Sequence, residues 1–155
     1  IFDNSKDIEQ WKMACRGIQE DNPPVLDRLQ YFEDRFWGWT WYTYCKITRG
    51  ELWEARSAVE YLRENVIVKL IYHKMALRDE GWRRLEEKTP HEYLSLLEGT
   101  VADKHSKHSY LSSLISLINM YSRLVTEIIS DYSLEGLKYV DRNYFMNAIT
   151  SDNEL

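Results

Sequence analysis

Seven apolar residues in the second half of the chain, Leu111, Leu114, Ile118, Tyr121, Val125, Ile128 and Tyr132, alternate spacings of three and four without a miss. An α-helix turns about 100° per residue, so this alternation holds all seven on one face for about six turns. Ile115, Leu117 and Ile129 thicken the stripe. A second stripe follows the same rule through Leu29, Phe32, Phe36, Trp39 and Thr43, with Trp37, Trp41 and Tyr44 beside it. A third runs through Leu52, Ala55, Val59, Leu62, Val66 and Leu70. Long amphipathic helices joined by short connections bury such stripes only against one another, which predicts an all-α, antiparallel helical bundle of about five helices.

Turn and cap residues divide the chain. Asn4 and Ser5 ahead of Asp7, Ile8 and Glu9 predict a helix over 6–18, with Ile8, Trp11, Cys15 and Ile18 on one face. Pro23 and Pro24 predict the start of a second helix reaching about residue 48, because proline suits a first turn whose amides are unpaired anyway. Gly50 after Arg49 fits a left-handed helix stop, and a third helix is expected from Glu51 to before Gly81. Residues 82–89 read as a polar connection, 90–97 as a short helix opened by a Pro90, His91 and Glu92 cap, and 99–109 as a loop or a ragged helical entry. Leu137, Val140, Tyr144 and Ile149 fit one last short helix before an acidic tail at 151–155. Ile1, Phe2 and Asp3 read as the end of a strand whose sheet is absent. Residues 1–4 are therefore set apart from a bundle domain at 5–150, and a start at Ile rather than Met points to a processed product or a fragment.

Composition narrows the function classes. A chain of 155 residues can bury a core without staples, and Cys15 and Cys45 lie too far apart for a CxxC site, so a reducing, cytoplasmic setting is the expectation. The net charge of −5 supplies no global field for nucleic acid, and no apolar run approaches the roughly 20 residues of a membrane span. Six Trp and eleven Tyr against six Gly and three Pro describe heavy aromatic packing with few turns. Six of the nine positions from Phe36 to Tyr44 are aromatic, more than one helix face can bury, so some of these rings should meet a groove, a partner or a second domain. Gly38, inside the run, would allow close approach of a backbone or ligand.

The familiar catalytic patterns are weak. His105 and His108 have a spacing that places two imidazoles on one helical face, but no third ligand is nearby, which favours a solvated loop over a metal site. Both cysteines fall on apolar faces without a base. Asp7 and Glu9 point to different helical faces, whereas metal-dependent phosphoryl chemistry wants both acids aimed at one site. Lys46, Arg49, Glu51 and Glu54 form a mixed charge cluster at the second helix junction.

The run Tyr44-Cys45-Lys46-Ile47-Thr48-Arg49-Gly50-Glu51-Leu52-Trp53-Glu54-Ala55-Arg56, followed by Leu62-Arg63-Glu64, resembles the helical C-terminal domain of aminoglycoside-type nucleotidyltransferases such as kanamycin nucleotidyltransferase. The resemblance covers residues 1–77 and, more weakly, the long helix from Leu111. It implies a domain that closes a catalytic cleft over a small hydroxyl-bearing acceptor. Magnesium and a nucleoside triphosphate would be held by an N-terminal nucleotidyltransferase domain, whose Gly-Ser turn and strand-borne acid pair are not in this chain, so no cofactor is expected here and the chain alone should be inactive. Carried over, the resemblance makes Glu51 or Glu54 the candidate catalytic proton acceptor, and Trp41, Tyr44, Lys46 and Arg49 candidate substrate contacts. The chain is also similar to HEPN domains, which implies as an alternative a stand-alone interaction bundle, homodimeric through the Trp-rich face. Some HEPN domains are ribonucleases using Arg and a following His. Arg84 and His91 have that separation, but Leu85 departs from the pattern and Pro90 breaks the helix between them.

Overall fold

The computed structural model describes residues 25–151. The helix expected at 6–18, the strand end at 1–4, Asp7, Glu9, Cys15 and tail residues 152–155 lie outside the described residues. Within them all regular structure is helical. The helices are α1 (Val25–Arg49), α2 (Leu52–Leu62), a π-helical segment (Arg63–Val68), α3 (Lys69–Lys74), α4 (Leu85–Lys88), α5 (His91–Glu98), α6 (Lys107–Tyr132) and α7 (Asn143–Ser151). They pack as a bundle, with α1 against α2 and α6, and α3 against α6.

The two longest helices, of 25 and 26 residues, form the frame. The seven residues of the unbroken α6 alternation are all buried except Tyr132 at its end, and of the flanking three Leu117 is buried while Ile115 and Ile129 are half-buried. Tyr121 stacks on Phe36 of α1 with ring centroids 3.7 Å apart and planes 11° from parallel, and Trp37 meets Tyr121 edge-on at 6.2 Å. Rings in such arrangements contribute about 0.5–1.5 kcal/mol beyond their buried area. Ala55, Val59 and Leu62 of α2 close the core from a third side.

The third predicted helix is a rod that changes character midway. Its backbone stays right-handed helical through both junctions of the π segment. The cause is in the spacing: each step of four, Leu62 to Val66 to Leu70, overshoots an α-helical turn by about 40°, and the wider π turn absorbs the excess. Val66, Ile67 and Val68 are consequently all buried in succession. Arg63 opens the segment at 4% exposure and donates to Thr100 through Nε to Oγ1 at 2.8 Å and a terminal nitrogen to the carbonyl at 2.6 Å. Its other terminal nitrogen pairs with Glu60, and Ser113 of α6 donates to the same Thr100 carbonyl. Buried arginine thereby pins the loop between α5 and α6.

Other boundaries differ from the sequence reading. The rod ends at Lys74, short of Gly81, and residues 82–89 contain the single turn α4, formed around buried Leu85. His91 and Glu92 do not cap α5: its N-cap, Pro90, has no side-chain donor or acceptor, Glu92 pairs with Arg123 of α6, and His91 Nδ1 lies 3.2 Å from Ser95 Oγ. The last helix starts only at Asn143, and Leu137 and Val140 lie in a strap without regular structure. Side chains of α1 hold that strap. The Gln30 amide donates to the Lys138 carbonyl at 3.1 Å and accepts from the Lys138 amide at 2.9 Å. Glu33 accepts from the Val140 amide at 3.2 Å.

Candidate functional site at the turn between α1 and α2

Gly50, at φ 79°, reverses the chain after α1. Its amide donates to the Ile47 carbonyl and the Glu51 amide to the Lys46 carbonyl, each at 3.0 Å, the pair of bonds that defines a Schellman stop. Such stops usually join their flanking positions by an apolar contact. Here Lys46 Nζ and Glu51 Oε2 supply an ion pair at 2.7 Å instead. Lys107, the first residue of α6, donates to the Thr48 carbonyl at 2.6 Å and brings a third helix to the turn.

The stop concentrates charge. Lys46 Nζ also lies 2.9 Å from Glu54 Oε2 and 5.1 Å from the centre of the Tyr42 ring, while Arg49 Nε meets Glu51 Oε1 at 2.7 Å. Tyr42 donates its hydroxyl to the other oxygen of Glu54. The hydrogen bond from Tyr42, then that from Lys46, holds the Glu54 carboxyl below its usual range. Bonds to Glu51 and then Glu54 push the Lys46 ammonium up, and the Glu54 bond raises Tyr42. Glu54 is therefore a carboxylate that takes up a proton less readily than a free one, which suits holding a cation or orienting a hydroxyl better than removing a proton.

The six residues singled out from the sequence fall into two groups. Lys46, Arg49, Glu51 and Glu54 share the turn. Trp41 and Tyr44 lie elsewhere: Lys46 is five residues beyond Trp41, about 140° around the helix. Trp41 packs against Tyr44, Tyr144 and Phe145 at 5.3, 5.8 and 5.8 Å, and the Tyr44 hydroxyl donates to the Ala148 carbonyl at 3.3 Å. Helix α7 covers both, so they are core and cover residues of the bundle, not neighbours of the acids.

A different set of rings borders the turn. Tyr42, 46% exposed, shares the outward side of α1 and α2 with Tyr31 and Tyr61, 48% and 45% exposed. Trp39 links them, 6.5 Å from Tyr31 and 5.4 Å from Tyr61, and the Arg35 guanidinium sits 4.0 Å over the Tyr31 ring. Of the 36–44 run, Phe36, Trp37 and Tyr44 are buried, Trp39 and Trp41 half-buried, and Tyr42 exposed. Tyr31 and Tyr61 lie outside that run, and only the unfilled, outward positions of the two stripes point to them. Gly38 is exposed, with nothing within 4 Å of where a Cβ would stand. Among the described residues no segment makes the close approach that its glycine would allow.

The remaining constellations do not assemble. His105 precedes Ser106, the N-cap of α6, so it does not share a helical face with His108. Its ring lies 4.5 Å from Trp53, and its Nδ1 lies 2.8 Å from the Tyr110 hydroxyl. Among the described residues no three His, Cys, Asp or Glu side chains converge as a metal site would require. Arg84 pairs with Glu87 at the start of α4 while His91 opens α5, so the two belong to separate helices. Cys45 is a free, half-buried thiol on α1. No helix among the described residues is long and apolar enough to cross a membrane.

One polar centre is absent from the sequence reading. Glu33, fully buried on α1, accepts from Trp37 Nε1 at 3.2 Å and, across the core, from the Tyr121 hydroxyl at 2.7 Å, besides the Val140 amide. Burial, then the Glu33 charge, raises the Tyr121 phenol. The only sequence signal is an acid one position beyond Phe32 within the apolar stripe. No family model, curated protein or solved structure matches the chain.

Proposed function

We propose that this chain is the helical, acceptor-side domain of a nucleotidyltransferase-like protein, closing a cleft whose nucleotide-binding part lies in an upstream domain. The observation that carries the reading is the turn between α1 and α2. It sets two carboxylates, Glu51 and Glu54, beside the exposed ring of Tyr42, with the half-buried Trp39 and the exposed Tyr61 farther along the same outward side. Rings that offer an apolar face next to ionised acids suit a hydroxyl-bearing, cationic small molecule. The turn does not suit magnesium, because the Glu51 and Glu54 oxygens already accept from Lys46, Arg49 and Tyr42. In this reading metal and nucleoside triphosphate belong to the upstream domain, and Glu51 and Glu54 orient the acceptor. An arriving ammonium would displace Lys46 from them, and an acceptor hydroxyl would donate to a freed oxygen.

The test is the protein encoded by the complete reading frame, assayed with magnesium for transfer of a labelled nucleotide to an aminoglycoside. The reading expects an upstream α/β domain with a Gly-Ser turn and paired acids. Glu51→Gln and Glu54→Gln should each raise KM for the acceptor about tenfold while leaving KM for the nucleotide within about twofold. An intact protein without such a domain, or acceptor KM values that ignore both substitutions, overturns it.

A further inference from the structure

We propose that Trp53 and the loop between α5 and α6 form a docking surface for a short acidic segment of a partner protein, one large apolar residue flanked by carboxylates. The inference is independent of the nucleotidyltransferase reading: Trp53 stands one position before Glu54, about 100° around α2 from it, and takes no part in the acceptor contacts. Its side chain is 72% exposed, the most exposed large hydrophobic among the described residues. The ring is nonetheless held in place, with His105 4.5 Å from it and the Arg56 guanidinium 6.0 Å from its centre. The loop that carries His105 is fixed as well. Buried Arg63 holds Thr100 at its start, and beyond its end Ser109 Oγ accepts from the Lys104 amide at 3.1 Å and donates to Asp103. A bare Trp on a preformed surface is the residue type and setting of a binding hot spot, because little has to be ordered when a partner arrives.

Charge selects the partner. Although the chain carries a net charge of −5, Arg56, Lys104 and Lys107 have no acidic side chain within ion-pair distance among the described residues. The acids near them are engaged elsewhere: Glu54 by Tyr42 and Lys46, Glu60 by Arg63, and Asp103 by Ser109. Cations left without counter-charges beside a bare ring suit carboxylates on either side of an apolar side chain that lies on Trp53. The patch is also short. Glu51 bounds it at the turn, and Glu60, seven residues beyond Trp53 on the same face of α2, bounds it about 10 Å further along the axis. About three extended residues span that length. A single-stranded nucleic acid also stacks on exposed rings, but its successive phosphates would run onto Glu51 and Glu60, so the arrangement favours the acidic peptide.

The test is fluorescence anisotropy of the 155-residue chain with a fluorescein-labelled pentapeptide, one leucine flanked on each side by two glutamates. A dissociation constant on the order of 100 µM is expected at about 50 mM salt, weakening at least about threefold at about 300 mM as the exposed charges are screened. Trp53→Ser should weaken binding at least about fivefold, and Arg56→Gln and Lys104→Gln each about twofold to fivefold. All three side chains are exposed, so these variants should melt with the parent. Lys69→Gln, which removes an exposed lysine beyond the π segment, should leave binding within about twofold. No binding up to about 2 mM peptide overturns the proposal. So does binding that survives Trp53→Ser, or binding that Lys69→Gln weakens as much as Lys104→Gln does. Tighter binding of a labelled five-nucleotide oligouridylate than of the peptide overturns it too, by assigning the surface to nucleic acid.

Discussion

Replacing Glu33 tests whether its buried carboxylate organises the core or merely occupies it. One oxygen accepts from both Trp37 and the Val140 amide, and the other from Tyr121. Glu33→Leu leaves three donors without an acceptor. At about 1–3 kcal/mol for each stranded buried donor, less the desolvation cost relieved by removing the charge, the loss should be about 3–5 kcal/mol. The relief cannot dominate: the Val140 donor is backbone and no side-chain change removes it, and the Arg142 guanidinium 5.7 Å over the Trp37 ring already offsets part of the charge. Glu33→Gln should cost far less, about 1–2 kcal/mol, because its carbonyl can serve Trp37 and Val140 while its amide donates to the Tyr121 oxygen and strands one hydroxyl proton. Tyr121→Phe should then cost about 1–2 kcal/mol in the parent and under about 0.5 kcal/mol beside Glu33→Gln, a coupling that a double-mutant cycle measures. The assay is urea unfolding followed by far-ultraviolet dichroism, with total tryptophan emission as a second probe. Equal costs for Gln and Leu, or a Leu cost below about 1 kcal/mol, would refute the reasoning.

Gly50→Ala should destabilise by about 1–2 kcal/mol, since an L residue is strained at φ 79°; Gly50→Asn should cost less, and equal melting temperatures for all three would show that the stop is unstrained. Thr40 is fully buried and its hydroxyl has no partner among the described residues, so Thr40→Val should raise stability by about 1 kcal/mol in chemical unfolding. The chain should lose stability as pH rises above about 10. Tyr121 is raised by burial and the Glu33 charge, and Tyr93 is pushed up to about 12 by burial and its bond to Glu127. Both stay protonated in the fold after the unfolded chain has begun to ionise, so the loss begins near pH 10 and, for Tyr93, runs to about 12. Tyr93→Phe and Tyr121→Phe should each flatten that decline in melts at stepped pH.

Regular periodicity carried most of the fold. The α6 stripe and the Gly50 stop could be read directly because each depends on residues within one helix or one turn. The π segment left a trace in the successive spacings of four, but the same trace fits a frayed or bent helix. The strap left none, because what fixes Lys138 and Val140 are side chains on α1 more than a hundred residues earlier. The candidate site shows the same division. Lys46, Arg49, Glu51 and Glu54 are close in sequence and meet at the turn, whereas the burial of Trp41 and Tyr44 depends on α7, which only tertiary packing brings near. Helical phase alone separates Trp41 from Lys46, yet it does not say which of the two faces is covered.

The strap between α6 and α7 inverts the usual relation between a segment and its own sequence. Its α1 anchors reach only main-chain atoms, the amide and carbonyl of Lys138 and the amide of Val140, and the recognising groups belong to Gln30 and Glu33. At those two strap positions these contacts place no demand on side-chain identity, only on having an amide to give. Lys138, exposed, can drift widely as long as proline stays out, whereas Val140 is held besides by packing its apolar side chain against the core. Gln30 and Glu33 cannot drift in the same way, because losing either unties a segment that is distant in sequence and has no regular structure of its own to fall back on.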